Sequence, residues 1–159
     1  MLNRGNLIEL IISIEIIIIS SLLPVYILIP SKINILRLIN IPVNLFVPII
    51  ICLTISFSSK VILKAYSIYI FIGLFLLPIF SDGGSIGYIL TPNFGYLIGI
   101  YPLILSVNNL NKKNIFNLIE FLKATIKGLL KMHLIGIFYI IMISIVFKRT
   151  DLIIYNISK

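Results

Sequence analysis

Two long apolar runs in the middle of the chain are separated by a short polar segment, and this pattern limits the folds available. Residues 71–101 have the sequence FIGLFLLPIFSDGGSIGYILTPNFGYLIGIY. A membrane-spanning helix needs ~20 largely apolar residues, and the glycine-rich segment is too polar to belong to one. In hydrocarbon, irregular backbone survives only where protein buries it or where it lines a watery cavity. The pattern therefore predicts two membrane spans joined by a loop that forms a pocket near one membrane face.

The composition of the whole chain excludes a soluble domain. Of the 159 residues, 60% are hydrophobic and 11% are charged, and the mean hydropathy is +1.17. Ordinary soluble domains are ~45–50% apolar and ~25% charged. We therefore expect a multi-pass protein of the bacterial plasma membrane, with the lipid bilayer as its surroundings.

Five apolar segments have the character of membrane helices, and together they predict an all-α integral membrane protein with a single transmembrane domain over residues 1–159. The predicted spans are residues 7–29, 41–57, 61–80, 93–107 and 132–147, with a bend or break at Pro48 in the second. Residues 81–92 form the polar loop. Residues 108–131 are rich in lysine, and apolar side chains recur there at helical spacing, which predicts an amphipathic connector helix. This helix either lies along the membrane surface or is a cytoplasmic loop helix with a solvated charged face.

The distribution of lysine and arginine predicts the orientation. The connector carries the most basic residues and is therefore expected in the cytoplasm, which places the loop 81–92 outside. Arg37 and Arg149 then lie on the outer face, where they are candidates for attracting an anionic ligand. The net charge of +8 does not indicate nucleic-acid binding, because the basic residues lie in the gaps between apolar runs and no helix interleaves them with aromatic residues.

The sequence contains no motif for catalysis or for metal binding. The chain has one cysteine and one histidine, so no His/Cys metal-ligand spacing exists, and we expect no metal and no cofactor. The pair Gly83-Gly84 lacks the lysine and the strand–helix context of a phosphate-binding loop. No nucleophile–base pair is evident. We therefore expect a protein that is not an enzyme.

Several short motifs together resemble a known family. Ile-Pro-Val at residues 41–43 opens an apolar segment, and Gly-Leu-Phe-Leu-Leu-Pro follows at residues 73–78. The Gly83-Gly84 loop comes next, and then Thr-Pro-Asn-Phe-Gly-Tyr-Leu-Ile-Gly at residues 91–99. Over about residues 41–110 this order is similar to the BioY family, the substrate-binding S components of energy-coupling-factor (ECF) vitamin transporters.

The resemblance implies a bundle of six membrane helices that captures biotin from the outside. It also implies partners, namely a transmembrane coupling protein and a pair of ATPases. The loop residues that match the family are Gly83, Gly84 and Ser85. The residues that match the turn into the next helix are Pro92, Gly95 and Tyr96, and those at the start of the second helix are Pro42 and Asn44.

Two polar residues are added as candidate ligand contacts, Asp82 in the loop and Asn93 directly after it. The Asp82 carboxylate suits the ureido N–H groups of biotin, but it equally suits a turn cap beside Gly83. Tyr88 and Tyr96 either pack on the ligand or belong to the aromatic belt at the membrane interface. Arg37 and Arg149 are alternatives for binding the ligand carboxylate.

Other positions depart from the family pattern. The family's last helix opens with a PGDxxKA motif whose Asp and Lys bind the ligand, and the 159 residues contain no such motif. The alternative function is therefore a divergent or truncated membrane interaction subunit of the same family that does not transport. Glu15, in the middle of the first span, is either functional or a protonated residue hydrogen bonded across the bundle. His133 is expected at the membrane interface.

Overall fold

The computed structural model describes residues 4–29, 37–41, 45–81, 83–111 and 117–147. Its elements, in chain order, are α1 (Arg4–Leu22), β1 (Val25–Ile29), β2 (Arg37–Ile41), α2 (Phe46–Ser56), α3 (Ser59–Phe75), a 3-10 turn (Ile86–Leu90), α4 (Pro92–Asn111) and α5 (Leu118–Phe147). The five α-helices of the described residues confirm the predicted helical bundle. A two-stranded hairpin, which the sequence did not predict, is added to it.

The hairpin replaces residues that were predicted to be helical. The first span was predicted to run to residue 29 and the second to begin at residue 41, but the structure ends α1 at Leu22 and pairs Val25 with Ile41 in an antiparallel ladder. Pro24 is the physical reason. It has no N–H for an i−4 hydrogen bond and disfavours helical backbone at Leu23, so the helix ends there. The last helical hydrogen bond runs from Leu23 N to Ile19 O at 3.1 Å.

Helix α2 is short and passes through Pro48 without a break. Pro48 is the third residue of the helix, where a backbone N–H has no partner within the helix, so the expected bend at this position does not occur. The next amide, Ile49 N, donates to Leu45 O at 3.0 Å. The eleven residues of α2 span ~16 Å, about half of the hydrocarbon thickness.

The last two helices form the most extensive helix pair of the bundle. Helix α5 is continuous over 30 residues, so residues 118–131 of the predicted connector are its first part rather than a separate element. Glycines lie where α4 and α5 approach each other. A Cβ at Gly99 would be 2.7 Å from Met132 O, and one at Gly136 would be 2.6 Å from the ring of Tyr96. Small residues of this kind allow membrane helices to pack closely.

Consecutive helices alternate in direction, which gives the bundle two ends. Ser21, near the end of α1, donates to Ile79 O at 2.7 Å, and Phe46, at the start of α2, contacts the Tyr69 ring at 5.3 Å between centroids. Both contacts lie towards the end of α3 that leads into the polar loop. We call this end the loop end. The opposite end, where α3 and α5 begin, carries Lys60, Lys64, Lys123, Lys127 and Lys131 and is called the lysine end.

Two of the described helices are long and apolar enough to cross a membrane, Gly5–Leu22 and Leu118–Phe147. Most of their exposed residues are apolar, with exceptions such as Glu15 on α1 and the lysines and His133 on α5. On α1 the exposed residues include Ile8, Ile12 and Ile19, and on α5 they include Leu134 and Ile145. In water such surfaces would be costly, whereas in lipid they are matched to their surroundings.

Candidate ligand site

The glycine-rich loop folds back onto the end of α3. Ser85 N donates to Gly73 O at 3.1 Å, so the loop bonds to a carbonyl in the last turn of that helix. Gly84 lies directly at this contact. A Cβ built on it would be 2.6 Å from Gly73 O and 2.6 Å from Pro78 Cα, both of them backbone atoms that a side chain cannot push aside. The position therefore requires glycine for close backbone approach.

The turn before Gly84 is tight. Phe80 N donates to Gly83 O at 2.9 Å, and Gly83 N donates to Phe80 O at 3.0 Å, which pairs Phe80 with Gly83 in a short antiparallel bridge. Gly83 has φ +109°, a conformation that residues with a Cβ rarely adopt. The backbone thus explains why both predicted residues are glycine: Gly83 has a positive φ, and Gly84 lies against other backbone atoms.

Ser85 has the most unusual backbone of the loop. It is a non-glycine residue at φ 142°, and its side chain is exposed. Residues held in such conformations cluster at ligand sites and cost of order 1–3 kcal/mol. Of the described residues predicted to bind ligand, Ser85 combines an available polar group with a backbone held in place by its neighbours.

The 3-10 turn that follows is anchored to α5. The Tyr139 hydroxyl donates to Ile89 O, and the Thr91 hydroxyl donates to Tyr88 O at 2.7 Å. Pro92 begins α4, a position that suits proline because the first helical N–H has no partner. Asn93 is exposed in the first turn of α4. The loop therefore connects α3 to α5 through hydrogen bonds as well as to α4 through the chain.

Gly95 and Tyr96 are used in helix packing. A Cβ on Gly95 would be 2.4 Å from Tyr139 Cβ, and the Tyr96 ring covers Gly136. Tyr96 also meets the His133 ring edge-on at 5.7 Å between centroids. These contacts orient α4 against α5 and so set the position of the loop. A contact of Gly95 or Tyr96 with a ligand stays a prediction.

Three predicted ligand residues, Asp82, Pro42 and Asn44, lie outside the described residues, as does Arg149. Arg37 begins β2 and pairs with Ile29, at the end of the hairpin ladder away from α1 and α2. Glu15 is exposed on α1 rather than hydrogen bonded across the bundle, among exposed residues that include Ile11, Ile12 and Ile19.

A column of buried aromatic rings lies beneath the loop, and sequence analysis did not identify it. The Phe80 ring contacts Tyr88 at 4.5 Å and Tyr69 at 5.4 Å, and Tyr69 stacks on Tyr66 at 5.9 Å between centroids. Tyr88 is therefore a core residue and not part of an interfacial belt. The signal was the spacing of Tyr66, Tyr69 and Gly73, which places them on one face of α3.

The buried tyrosines are tied into the backbone. The Tyr66 hydroxyl donates to Leu97 O at 2.7 Å, and Tyr69 is hydrogen bonded to Ser21 of α1. Gly73 accommodates the Phe80 ring, since a Cβ there would be 2.2 Å from a ring carbon. The column gives the loop a rigid base that links α1, α3 and α4.

Comparison with known proteins decides the family. The family model described as the BioY family matches residues 6–156, nearly the whole chain. The chain belongs to the BioY family. This membership confirms the resemblance inferred from residues 41–110. As a member of this family, the chain is a membrane protein.

A curated relative agrees with this assignment. The probable biotin transporter BioY of Lysinibacillus sphaericus is 39% identical over 80 residues, which cover 46% of this BioY chain and 38% of the relative. The match thus spans less than half of the relative's length. The relative is named as a transporter and not as an enzyme, in agreement with the prediction from the sequence.

A solved structure shares the fold. The S component for biotin from an ECF-type ABC transporter superimposes with a TM-score of 0.66 at 20% identity, and the match covers 99% of this BioY chain and 84% of that chain. The fold of the chain is therefore that of this S component.

Proposed function

We propose that the chain is a membrane-embedded substrate-binding subunit for the uptake of biotin. The observation that carries the proposal is the loop of residues 83–85, which is held over the end of α3 by backbone hydrogen bonds and presents the Ser85 side chain. Small-molecule sites are mostly apolar with a few fixed polar groups. A strained polar loop above a column of aromatic rings has this character. Family membership and the biotin-related names of both relatives support biotin as the ligand.

The proposal includes an orientation with the loop end outside the cell. In the described residues all five lysines lie at the lysine end, and basic residues favour the cytoplasmic side. Biotin would then enter at the loop end. The protein would be a multi-pass protein of the cell membrane, with a transmembrane coupling protein and a pair of ATPases as transport partners.

Uptake in a cell tests the function. A biotin-requiring host without its own transporter, expressing this chain, should accumulate radiolabelled biotin above the level of empty-vector cells, and excess unlabelled biotin should abolish the signal. The test should be made with and without a coexpressed coupling protein and ATPase pair. Accumulation equal to that of empty-vector cells in both settings, with the protein present in the membrane, would contradict the proposal and favour a subunit that does not transport.

Labelling tests the orientation. In a Cys52→Ser background, Ser85→Cys should react with a membrane-impermeant maleimide added to whole cells. Lys127→Cys, at the lysine end, should react only after the cells are opened. The reverse pattern would place the loop in the cytoplasm and exclude capture of biotin from outside.

A further inference from the structure

The first half of α5 extends beyond what a bilayer requires. Its 30 residues correspond to ~45 Å at 1.5 Å per residue, whereas the hydrocarbon core is ~30 Å thick. Measured from Phe147 at the loop end, about twenty residues cross the core. The first ten or so, residues 118–127, therefore lie at the depth of the lipid head groups on the lysine end.

Three lysines follow one another on this part of the helix. Lys123, Lys127 and Lys131 are spaced four residues apart, so their side chains lie on one side of α5, and all three are exposed. Lys131 is held in place, because its ammonium group donates to Ser106 Oγ of α4 at 3.3 Å. We call these three residues the lysine stripe. Its member nearest the membrane centre, Lys131, is fixed by this hydrogen bond, and the two upper lysines, Lys123 and Lys127, lie further from the membrane centre.

The surface beside the lysines is apolar. Exposed side chains of the same segment lie next to the stripe on α5, namely Ile119, Leu122, Ile126 and Leu130, with exposed fractions between 49% and 60%. A surface that places ammonium groups at head-group depth beside branched apolar side chains matches a molecule with an anionic head and hydrocarbon chains. A small soluble anion would use only the polar half of this surface.

We propose that Lys123, Lys127 and Lys131 with their apolar neighbours form a binding site for one anionic phospholipid on the side of the membrane opposite the loop. The two upper lysines bind the head-group phosphate, and Lys131 marks the depth at which the acyl chains begin. Leu130, at the depth of Lys131, contacts the chains, and Ile119, Leu122 and Ile126 contact the less polar part of the head-group region beside the two upper lysines. Bound in this way, the lipid fixes the height of α5, the helix that holds the loop through Tyr139.

The chain contains a matched control for this site. Lys60 and Lys64 are also exposed, also four residues apart, and also in the first turns of a helix at the lysine end. The double variants K123Q/K127Q and K60Q/K64Q therefore remove the same charge, at the same spacing and from the same side of the membrane. Only the first pair belongs to the proposed site.

Native mass spectrometry of the purified full chain, titrated with phosphatidylglycerol or phosphatidylcholine, measures the binding. We expect one phosphatidylglycerol to bind with clear preference over phosphatidylcholine. In K123Q/K127Q its affinity should fall about thirtyfold, since each lysine near an anionic surface contributes ~1 kcal/mol and 1.4 kcal/mol is tenfold. K60Q/K64Q should change it less than about threefold. K123R/K127R, which keeps the charge, should retain binding.

Three results would overturn the proposal. An equal loss in both glutamine pairs would show a general charge effect without a site. Equal affinity for phosphatidylcholine would show that the anionic head group is not recognised. Competition by glycerol 3-phosphate as effective as that by the lipid would show a soluble-anion site. Biotin is absent from this assay, so its outcome is separate from that of the biotin proposal.

Discussion

The glycines of the loop and the glycines between α4 and α5 are the same residue type in two different roles. In the loop, Gly83 and Gly84 allow a positive φ and a close backbone contact in an irregular segment. Between the helices, Gly95 and Gly99 allow two regular helices to approach closely. The difference is that the loop glycines set the backbone of the proposed ligand loop, whereas the interhelical glycines set the distance between α4 and α5. Substitutions in the two regions should therefore separate ligand binding from folding.

The largest effect is expected between the helices. Gly99→Leu would place a side chain against the backbone of Met132, where a Cβ alone would be 2.7 Å from Met132 O and 2.9 Å from Met132 Cα. Because backbone cannot rotate away, we expect a loss of about 3 kcal/mol or more, beyond the usual 1–3 kcal/mol for overpacking. Thermal unfolding in detergent, followed by gel filtration, measures it.

Gly5→Leu is the control for this substitution, since nothing lies within 4 Å of a Cβ at Gly5. It should unfold at the temperature of the unchanged protein. If Gly99→Leu were equally stable, α4 and α5 would not pack as closely as described.

A smaller effect is expected in the loop. Gly83→Ala meets no atom within 4 Å, but it must adopt φ +109°, which costs an L-residue about 1–2 kcal/mol. We expect a modest decrease in the unfolding temperature and a decrease of about tenfold or more in biotin affinity, because the loop would relax away from its strained form. Isothermal titration with biotin measures the affinity. Unchanged affinity with decreased stability would assign Gly83 a purely structural role.

The smallest effect is expected where the two regions meet. Tyr139→Phe removes the hydrogen bond to Ile89 O and keeps the ring beside Gly95. Hydrogen bonds in membrane bundles contribute ~0.6 kcal/mol on average and at most ~1.7 kcal/mol. The unfolding temperature should therefore change little. Biotin dissociation, measured by stopped flow with a fluorescent biotin derivative, should become a few times faster because the loop loses its attachment to α5. An unaltered dissociation rate would separate the Tyr139 contact from the ligand site.

Hydropathy predicted the helical bundle because the bilayer requires long apolar helices. It failed where single residues determine the end of a helix. The predicted first span continued through VYILI at residues 25–29, since those side chains are as apolar as the helix before them. Pro24 contained the information that the helix ends. The partner strand of residues 25–29 is formed by residues 37–41, which come later in the chain, and hydropathy does not tell which two segments pair as strands.

The elements of the candidate site were predicted only in part, for a related reason. The loop at Gly83, Gly84 and Ser85 was predicted because glycine and polar residues between two apolar runs disfavour a continuous membrane helix, and its contact with a ligand was implied by the family resemblance. Tyr66 and Tyr69 were not predicted: their spacing with Gly73 places them on one face of α3, but the sequence does not say whether that face meets lipid or the core. Their burial follows from the helix order, which brings α1 and α4 to the same face of α3.

Equilibrium binding of biotin to the detergent-purified chain, compared between Gly84→Leu and Gly87→Ala, tests most directly whether the loop forms the ligand site. A Cβ at Gly84 would be 2.6 Å from Gly73 O, whereas one at Gly87, in the same segment, meets only Ser85 Oγ at 3.4 Å. We predict saturable binding to the unchanged protein and to Gly87→Ala, and its loss in Gly84→Leu, with all three eluting as folded protein. Binding that Gly84→Leu leaves intact, or no binding by any of the three, would contradict a biotin site at this loop.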